Sequence, residues 1–126
     1  MAVLVVDAAA LAALVHDEPG ADEIVERVSD ATLVAPRLLP HELDSVCLRK
    51  IRAAPRERSR LLAARALADQ MQIALLDVDQ PGVIELALAT GLTAYDASYL
   101  WLAGTHGAEL VTLDARLERA AARLRR

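Results

Sequence analysis

The sequence predicts an α/β domain with a parallel sheet. Short apolar runs alternate along the chain with longer stretches of helical periodicity, which is the pattern of strands joined by helices. The first run, residues 3–6, is apolar throughout, as expected of a strand that is covered on both faces. The chain has 126 residues, 55 % of them hydrophobic, so we expect a single domain over residues 1–126 with a sizeable core.

Four segments have the length and apolar character of strands. In chain order they are residues 3–6, 31–35, 73–78 and 109–113, the third interrupted by Asp77. Seven further stretches are predicted as helices: residues 8–15, 21–28, 38–51, 55–71, 82–89, 95–103 and 114–124. Pro55 suits the first turn of a helix and Gly91 suits a helix C-cap. The break at residues 53–55 predicts two helices that project together as a hairpin.

Charge is distributed unevenly along a chain whose formal net charge is −4. Residues 49–65 hold seven basic residues and one acid, whereas residues 1–48 hold nine acids and two arginines. Such a chain could bind a metal with one region and a phosphate backbone with another. Solvated helix faces explain the same charges, and both interpretations stay open at this point.

Apolar runs and cysteine content indicate the compartment. No apolar run approaches the roughly 18 residues that span a membrane, and the opening run lacks the basic flank of a signal peptide. The single cysteine, Cys47, excludes an internal disulfide and fits a reducing environment. We therefore expect a cytoplasmic protein with no membrane association.

Two aspartates stand where predicted strands end. Asp7 follows the first strand and Asp114 follows the last. In open α/β sheets, ligands bind beyond the carboxyl ends of the strands, so both side chains are candidates for a site there. Because a predicted helix follows each of them, helix N-capping explains either residue equally simply.

Two further acids lie within predicted helices. Glu42 borders the apolar stripe of its helix, where a charge needs a metal or a basic partner such as an arginine. Asp96 shares a helix face with Leu100 and Ala103, which suggests that it faces inward. Thr93 and Asp96 also have the spacing of a capping box, an alternative explanation of the same aspartate.

The four acids matter most as a set. Carboxylates that converge from separate segments repel one another, and a divalent cation removes that penalty. Magnesium and manganese prefer oxygen ligands, and magnesium commonly takes one or two carboxylates while keeping several waters. The set therefore suggests a metal site for phosphodiester hydrolysis by a metal-activated water, with one or two ions.

At these positions the chain resembles the PIN-domain family, and more narrowly the VapC-type toxins of prokaryotic toxin–antitoxin pairs. Four segments carry the resemblance, in this order: Val5-Val6-Asp7-Ala8; Ala35-Pro36 followed by His41-Glu42-Leu43; Thr93-Ala94-Tyr95-Asp96-Ala97-Ser98-Tyr99; and Val111-Thr112-Leu113-Asp114-Ala115-Arg116-Leu117. The third and fourth segments are the most specific. The resemblance covers essentially the whole chain, but many relatives have Ser or Thr where this chain has Ala9.

The resemblance implies a three-layer α/β/α sandwich and a ribonuclease that depends on Mg²⁺ or Mn²⁺. It assigns the metal-binding and catalytic carboxylates to Asp7, Glu42, Asp96 and Asp114, and it places Thr112 beside them to position a water or a carboxylate. It also implies an RNA substrate, a homodimer and a cognate antitoxin.

Basic residues outside the acid set are candidates for RNA contact. They are Arg49, Lys50, Arg52 and Arg116, each of which an exposed helix position explains as well.

One alternative function is a catalytically silent PIN-fold module that binds RNA or protein. A signalling receiver domain is disfavoured because Asp7 has no acidic neighbour and the chain has no late lysine. A nucleotide-binding fold is disfavoured because the chain has no glycine-rich phosphate loop.

Overall fold

The computed structural model describes residues 2–125 as strands alternating with helices. The strands are β1 (Val3–Val6), β2 (Thr32–Pro36), β3 (Ala74–Leu76) and β4 (Glu109–Val111). The helices are α1 (Ala8–Val15), α2 (Ala21–Val28), α3 (Leu39–Ala53), α4 (Arg58–Asp69), α5 (Gln80–Thr90), α6 (Ala94–His106) and α7 (Ala115–Leu124), with a 3₁₀ turn (Pro55–Glu57) before α4.

The strands form one sheet in the order β3-β2-β1-β4, and every neighbouring pair is parallel. Helices flank this sheet, so the predicted α/β fold with a short parallel sheet is confirmed. In the central strand β1, Val5 pairs with Val34 of β2 and with Leu110 of β4. Because all four strands run the same way, their carboxyl ends lie at one edge of the sheet.

The core lies where the helices cover the sheet. Val5 and Val6 of β1 are fully buried, as are Leu11 of α1 and Leu102 of α6. Helix α6 contacts β1, β2 and β4, whereas α1 packs against α2, α3 and α4. Neighbouring residues of a strand point to opposite faces, so the burial of both Val5 and Val6 shows that both faces of β1 are covered. The continuous apolar run of β1 predicted this burial.

Two predicted strands are shorter in the structure. β3 spans three residues rather than 73–78, and Asp77, just beyond it, pairs with the Arg37 side chain at 2.6 Å. β4 ends at Val111 rather than residue 113. The next residue, Thr112, donates a side-chain hydrogen bond to Asp7 at the end of the neighbouring strand β1. Strand ends with polar partners of their own are a feature that apolar patterning does not detect.

Three helices extend beyond their predicted bounds: α3, which ends at Ala53 rather than residue 51, and α5 and α6. α5 begins at Gln80 rather than residue 82, because the Asp79 carboxylate accepts a hydrogen bond from the Gly82 N–H at 3.0 Å and caps the helix. α6 continues to His106 rather than residue 103, and Gly107 ends it in a left-handed conformation at φ 58°.

The predicted break at residues 53–55 separates α3 from α4, and the two helices pack together as a hairpin. The second helix begins at Arg58 rather than Pro55, after the 3₁₀ turn. Arg65 of α4 reaches across to Asp44 of α3 at 2.8 Å, which ties the two helices at their polar side.

None of the helices within residues 2–125 combines the length and the apolar character that crossing a bilayer requires.

Candidate functional site

Asp7 lies at the carboxyl end of β1 and is 4 % exposed. One carboxylate oxygen caps α1 by accepting a hydrogen bond from the Ala10 N–H at 2.9 Å. The other oxygen accepts a hydrogen bond from the Thr112 hydroxyl. Only one of the two carboxylate oxygens therefore caps α1. Asp7 can be both a helix cap and a site residue.

Thr112 connects two of the predicted site residues. The register that pairs Val6 with Val111 brings Thr112 beside Asp7, with the Asp7 N–H donating to the Val111 carbonyl at 3.2 Å. The Thr112 hydroxyl donates to Asp7 and accepts from the backbone N–H of Asp114 at 3.0 Å. This hydroxyl therefore fixes the Asp7 carboxylate relative to the first residue of the α7 cap.

Asp114 is exposed and caps α7. Its Oδ1 accepts hydrogen bonds from the backbone N–H groups of Arg116 and Leu117, at 2.8 and 3.1 Å. Its Oδ2 has no hydrogen bond or ion pair to any residue in the range 2–125. Like Asp7, Asp114 caps a helix with one oxygen, but its second oxygen, unlike that of Asp7, accepts no hydrogen bond from a described residue.

Glu42 lies in the first turn of α3 and is partly buried. Its Oε1 accepts a hydrogen bond from the Tyr99 hydroxyl at 2.6 Å, and Tyr99 itself is 1 % exposed. The expected alternative, an ion pair with an arginine, is not formed among the described residues. A neutral buried donor therefore orients this carboxylate without neutralising it.

Asp96 lies in the first turn of α6. Its backbone N–H donates to the Thr93 hydroxyl at 3.1 Å, so the N-cap half of the predicted capping box is formed. Burial raises the pKa of Asp96, nearby Asp114 raises it further, and Arg116 and Thr93 lower it. The coupling to Asp114 places these two carboxylates in one electrostatic neighbourhood.

The carboxylates at this edge influence one another. Burial raises the pKa of Asp7 to about 6; hydrogen bonds from Thr112 and Ala10 oppose that shift, and the charges of Asp96 and Glu42 add to it. Burial also raises the pKa of Glu42, Tyr99 lowers it, and Asp96 raises it. These couplings place the four predicted acids in one electrostatic neighbourhood, hereafter the acidic edge: Asp7, Glu42, Asp96 and Asp114.

No ion pair neutralises the acidic edge within the part of the chain that the structure describes. Nor does that part contain three or more acidic, His or Cys side chains that already form a metal-binding cluster. The donor set still fits a hard divalent cation, because magnesium takes as few as one or two carboxylates and completes its shell with water. Glu42 and Asp114 each keep one carboxylate oxygen that accepts no hydrogen bond from residues 2–125, and such oxygens are available to a cation.

The four candidate RNA-binding residues differ in their contacts. Lys50 forms an ion pair with Glu18 at 2.7 Å, and an Arg116 guanidinium nitrogen donates to the Gly91 carbonyl at 2.6 Å. Arg49 and Arg52 are exposed on α3. Only Arg49 and Lys50 line a cavity that also contacts Glu42, whereas Arg52 does not line it.

Tyr99 is the functional candidate that the sequence analysis missed as a site residue. Its hydroxyl is the partner of Glu42 from 57 positions away. Burial raises the pKa of the Tyr99 hydroxyl, and Glu42, Asp7 and Asp96 raise it further, so the group stays a proton donor. The spacing of three residues from Asp96 was an available signal, since it places Tyr99 near the same helix face.

The family model of the PIN domain matches residues 4–123. The crystal structure of PAE2754 from Pyrobaculum aerophilum is similar, with a TM-score of 0.78 and 25% sequence identity over 98% of this chain and 92% of that chain. A comparison with curated protein sequences gives no match.

Proposed function

Because the chain belongs to the PIN domain family, whose members are generally nucleases, we propose that it is a metal-dependent ribonuclease. The reaction is hydrolysis of an RNA phosphodiester bond, with Mg²⁺ or Mn²⁺ as the cofactor. PIN domains typically depend on divalent metal, which agrees with the donor set of the acidic edge.

The observation that carries this proposal is the unneutralised acidic edge. Its four carboxylates lie at the end of β1, in α3, in α6 and at the N-cap of α7. None forms an ion pair within residues 2–125, and Arg116 acts on Asp96 only by lowering its pKa. Keeping Asp7 buried and charged costs free energy, as its raised pKa shows. A bound cation offsets that cost, so the arrangement favours a metal site over a purely structural one.

In this proposal, Asp7, Asp96 and Asp114 would hold the metal directly or through water, and Glu42 would hold metal or orient the attacking water. A divalent cation held there would supply positive charge to lower the pKa of a water and to stabilise charge on the phosphate. Thr112 keeps the Asp7 carboxylate in place by its hydrogen bond, and Tyr99 does the same for Glu42.

The proposal is tested with purified protein and bulk RNA. We expect cleavage in Mg²⁺ or Mn²⁺, no cleavage in EDTA, and recovery when Mn²⁺ is added in excess. Asp96→Asn serves as the inactive control, because it removes one charge while keeping the shape of the side chain. Cleavage that is equal in the two proteins does not come from the acidic edge, and that result would contradict the proposal.

We extend the proposal to the toxin of a VapC-type toxin–antitoxin pair, with an antitoxin and a second copy of the chain as partners in the cytoplasm. The support for this finer assignment is the order and spacing of the four motif segments. A short reading frame next to the gene that encodes a DNA-binding protein would support it, and rescue of growth by co-expression of that protein would test it.

A catalytically silent PIN module is the second candidate. Ala9, in the place of a hydroxyl residue, and the lack of a preformed cluster within residues 2–125 favour it. RNA binding without any cleavage in Mg²⁺ or Mn²⁺ would decide for the silent module.

A further inference from the structure

A cavity of about 680 Å³ opens directly beside the acidic edge. It lies between α1 and α3, and Tyr95 at the start of α6 contributes to its lining. Glu42 belongs both to this cavity and to the acidic edge. A ligand group that occupies the cavity would therefore lie next to a phosphate at the carboxylates.

The α1 side of the cavity is made of small side chains. Ala8, Ala9 and Ala12 line it, so one wall carries methyl groups only. Leu38 and Val46 add apolar surface from the α3 side. Such a wall leaves room for a flat group such as a nucleobase and has no side-chain hydrogen-bonding group of its own that a base would leave unsatisfied.

The charges in the cavity leave one cation free. Lys50 and Glu18 both line the cavity, and their ion pair at 2.7 Å neutralises both charges locally. Arg49 also lines it and is exposed, and no acid within residues 2–125 pairs with it. A guanidinium group without a carboxylate partner is available for a phosphate, which it can bind by two parallel hydrogen bonds.

An exposed aromatic ring contributes to the same cavity. Tyr95 is 65 % exposed, whereas Tyr99 is buried and Trp101 is partly buried, so Tyr95 is the ring of this chain that can stack on a ligand. Proteins that bind single strands combine aromatic rings for the bases with cations for the backbone. Tyr95 and Arg49 form that combination in one cavity.

We propose that the cavity lined by Ala9, Ala12, Glu42, Val46, Arg49 and Tyr95 is a nucleotide subsite for single-stranded RNA. In this subsite a base stacks on Tyr95 over the alanine wall, and Arg49 binds a backbone phosphate next to the one at the acidic edge. The inference rests on the proposed function, since it names the substrate strand of that site. Stacking on Tyr95 requires a base that is outside a duplex stack, so the subsite fits an unpaired nucleotide.

The test measures binding without cleavage. A fluorescently labelled oligouridylate is titrated with protein in EDTA at low salt, and anisotropy gives the affinity. We expect Tyr95→Ala to weaken binding about 10-fold and Tyr95→Phe to stay within about twofold of the native chain, because phenylalanine keeps the stacking face. Equal losses for both substitutions would overturn the stacking role.

Arg49→Ala is expected to weaken binding and to make the salt dependence of log K shallower by about 0.7, the change for one phosphate contact on a single strand. Arg56→Ala is the matched control, because Arg56 is exposed in the same basic segment but does not line the cavity. Equal losses for the two variants would mean that a diffuse basic surface holds the RNA, which would overturn the subsite.

An abasic probe of the same length separates base from backbone. The loss caused by Tyr95→Ala should disappear with that probe, whereas the loss caused by Arg49→Ala should remain. A loss from Tyr95→Ala that is the same with both probes would overturn the proposal and leave the cavity to another occupant, such as a peptide segment. This binding assay is independent of the cleavage assay that tests the proposed function. A protein that binds RNA through the cavity but does not cleave RNA would refute the proposed function and support the subsite.

Discussion

Acids in two regions of the molecule have opposite surroundings. In the hairpin of α3 and α4, Asp44 and Asp69 are exposed and both contact Arg65, at 2.8 and 3.1 Å. At the acidic edge, Asp7 is buried and Glu42 is partly buried, and no described basic residue pairs with either. Arg65 neutralises Asp44 and Asp69 in the hairpin, whereas Asp7 and Glu42 have no basic partner and keep raised pKa values.

The difference shows how to separate structural from functional carboxylates. An exposed ion pair contributes little to stability, and its carboxylate is already neutralised without a ligand. A buried charged carboxylate without a cationic partner lowers the free energy of unfolding, and a bound cation offsets that loss. Substitutions in the two regions should therefore change different properties, which gives four ways to test the comparison.

The largest difference is expected in catalysis. Asp7→Asn and Asp96→Asn should each lower the rate of RNA cleavage more than about 100-fold, because each removes a carboxylate proposed to hold the metal. Asp44→Asn in the hairpin makes the same chemical change and should leave the rate within about twofold. Rates measured with one RNA substrate at saturating Mn²⁺ check this, and a comparable loss in Asp44→Asn would remove the distinction between the regions.

The second difference concerns stability and pH. The pKa of Asp7 is raised from 3.8 to about 6, so the folded state holds this proton more tightly than the unfolded state. Its stabilising contribution is therefore complete below pH 3.8 and is lost as pH rises through about 6. In EDTA at about pH 7, Asp7→Asn should be more stable than the native chain by on the order of 2–3 kcal/mol, and the gap should close near the unfolded pKa.

Denaturant unfolding at both pH values measures this gap. Saturating Mn²⁺ should stabilise the native chain and stabilise Asp7→Asn much less, since a ligand that binds only the folded state shifts the equilibrium toward it. If Asp7→Asn is the less stable protein at neutral pH in EDTA, the carboxylate is structural after all.

The third effect concerns the orientation of Glu42. Tyr99→Phe removes the hydroxyl that donates to Glu42 at 2.6 Å and keeps the buried ring. Partners that hydrogen-bond and orient a metal ligand typically contribute about 10–100-fold to metal affinity, so Mn²⁺ affinity should fall at least about 10-fold. Titration calorimetry with Mn²⁺ measures the affinity. Loss of thermal stability with unchanged affinity would assign Tyr99 to the core alone.

The smallest effect is expected in the hairpin. Arg65→Ala removes both contacts, to Asp44 and to Asp69, but those partners are largely exposed and screened by solvent. We expect a loss of about 1 kcal/mol or less in the free energy of unfolding and no change in Mn²⁺ affinity. Thermal unfolding and calorimetry on the same samples check both expectations, and a fall in Mn²⁺ affinity would show that the hairpin is coupled to the acidic edge.

Local patterns predicted much of the fold. The bounds of β1, α1 and α2 agree with the prediction residue for residue, because apolar runs and helical periodicity directly reflect burial on a strand or a helix face. The bounds were wrong where polar contacts decide them. Asp79 starts α5 two residues early by capping, and Thr112 leaves β4 to contact Asp7.

The sequence by itself determined the class of fold and the candidate acids, because strand ends and helix faces follow from spacing along the chain. Only the tertiary structure decided which partners those acids have. The hydrogen bonds from Thr112 to Asp7 and from Tyr99 to Glu42 join residues 105 and 57 positions apart. Such pairings depend on sheet register and helix packing, which periodicity does not encode.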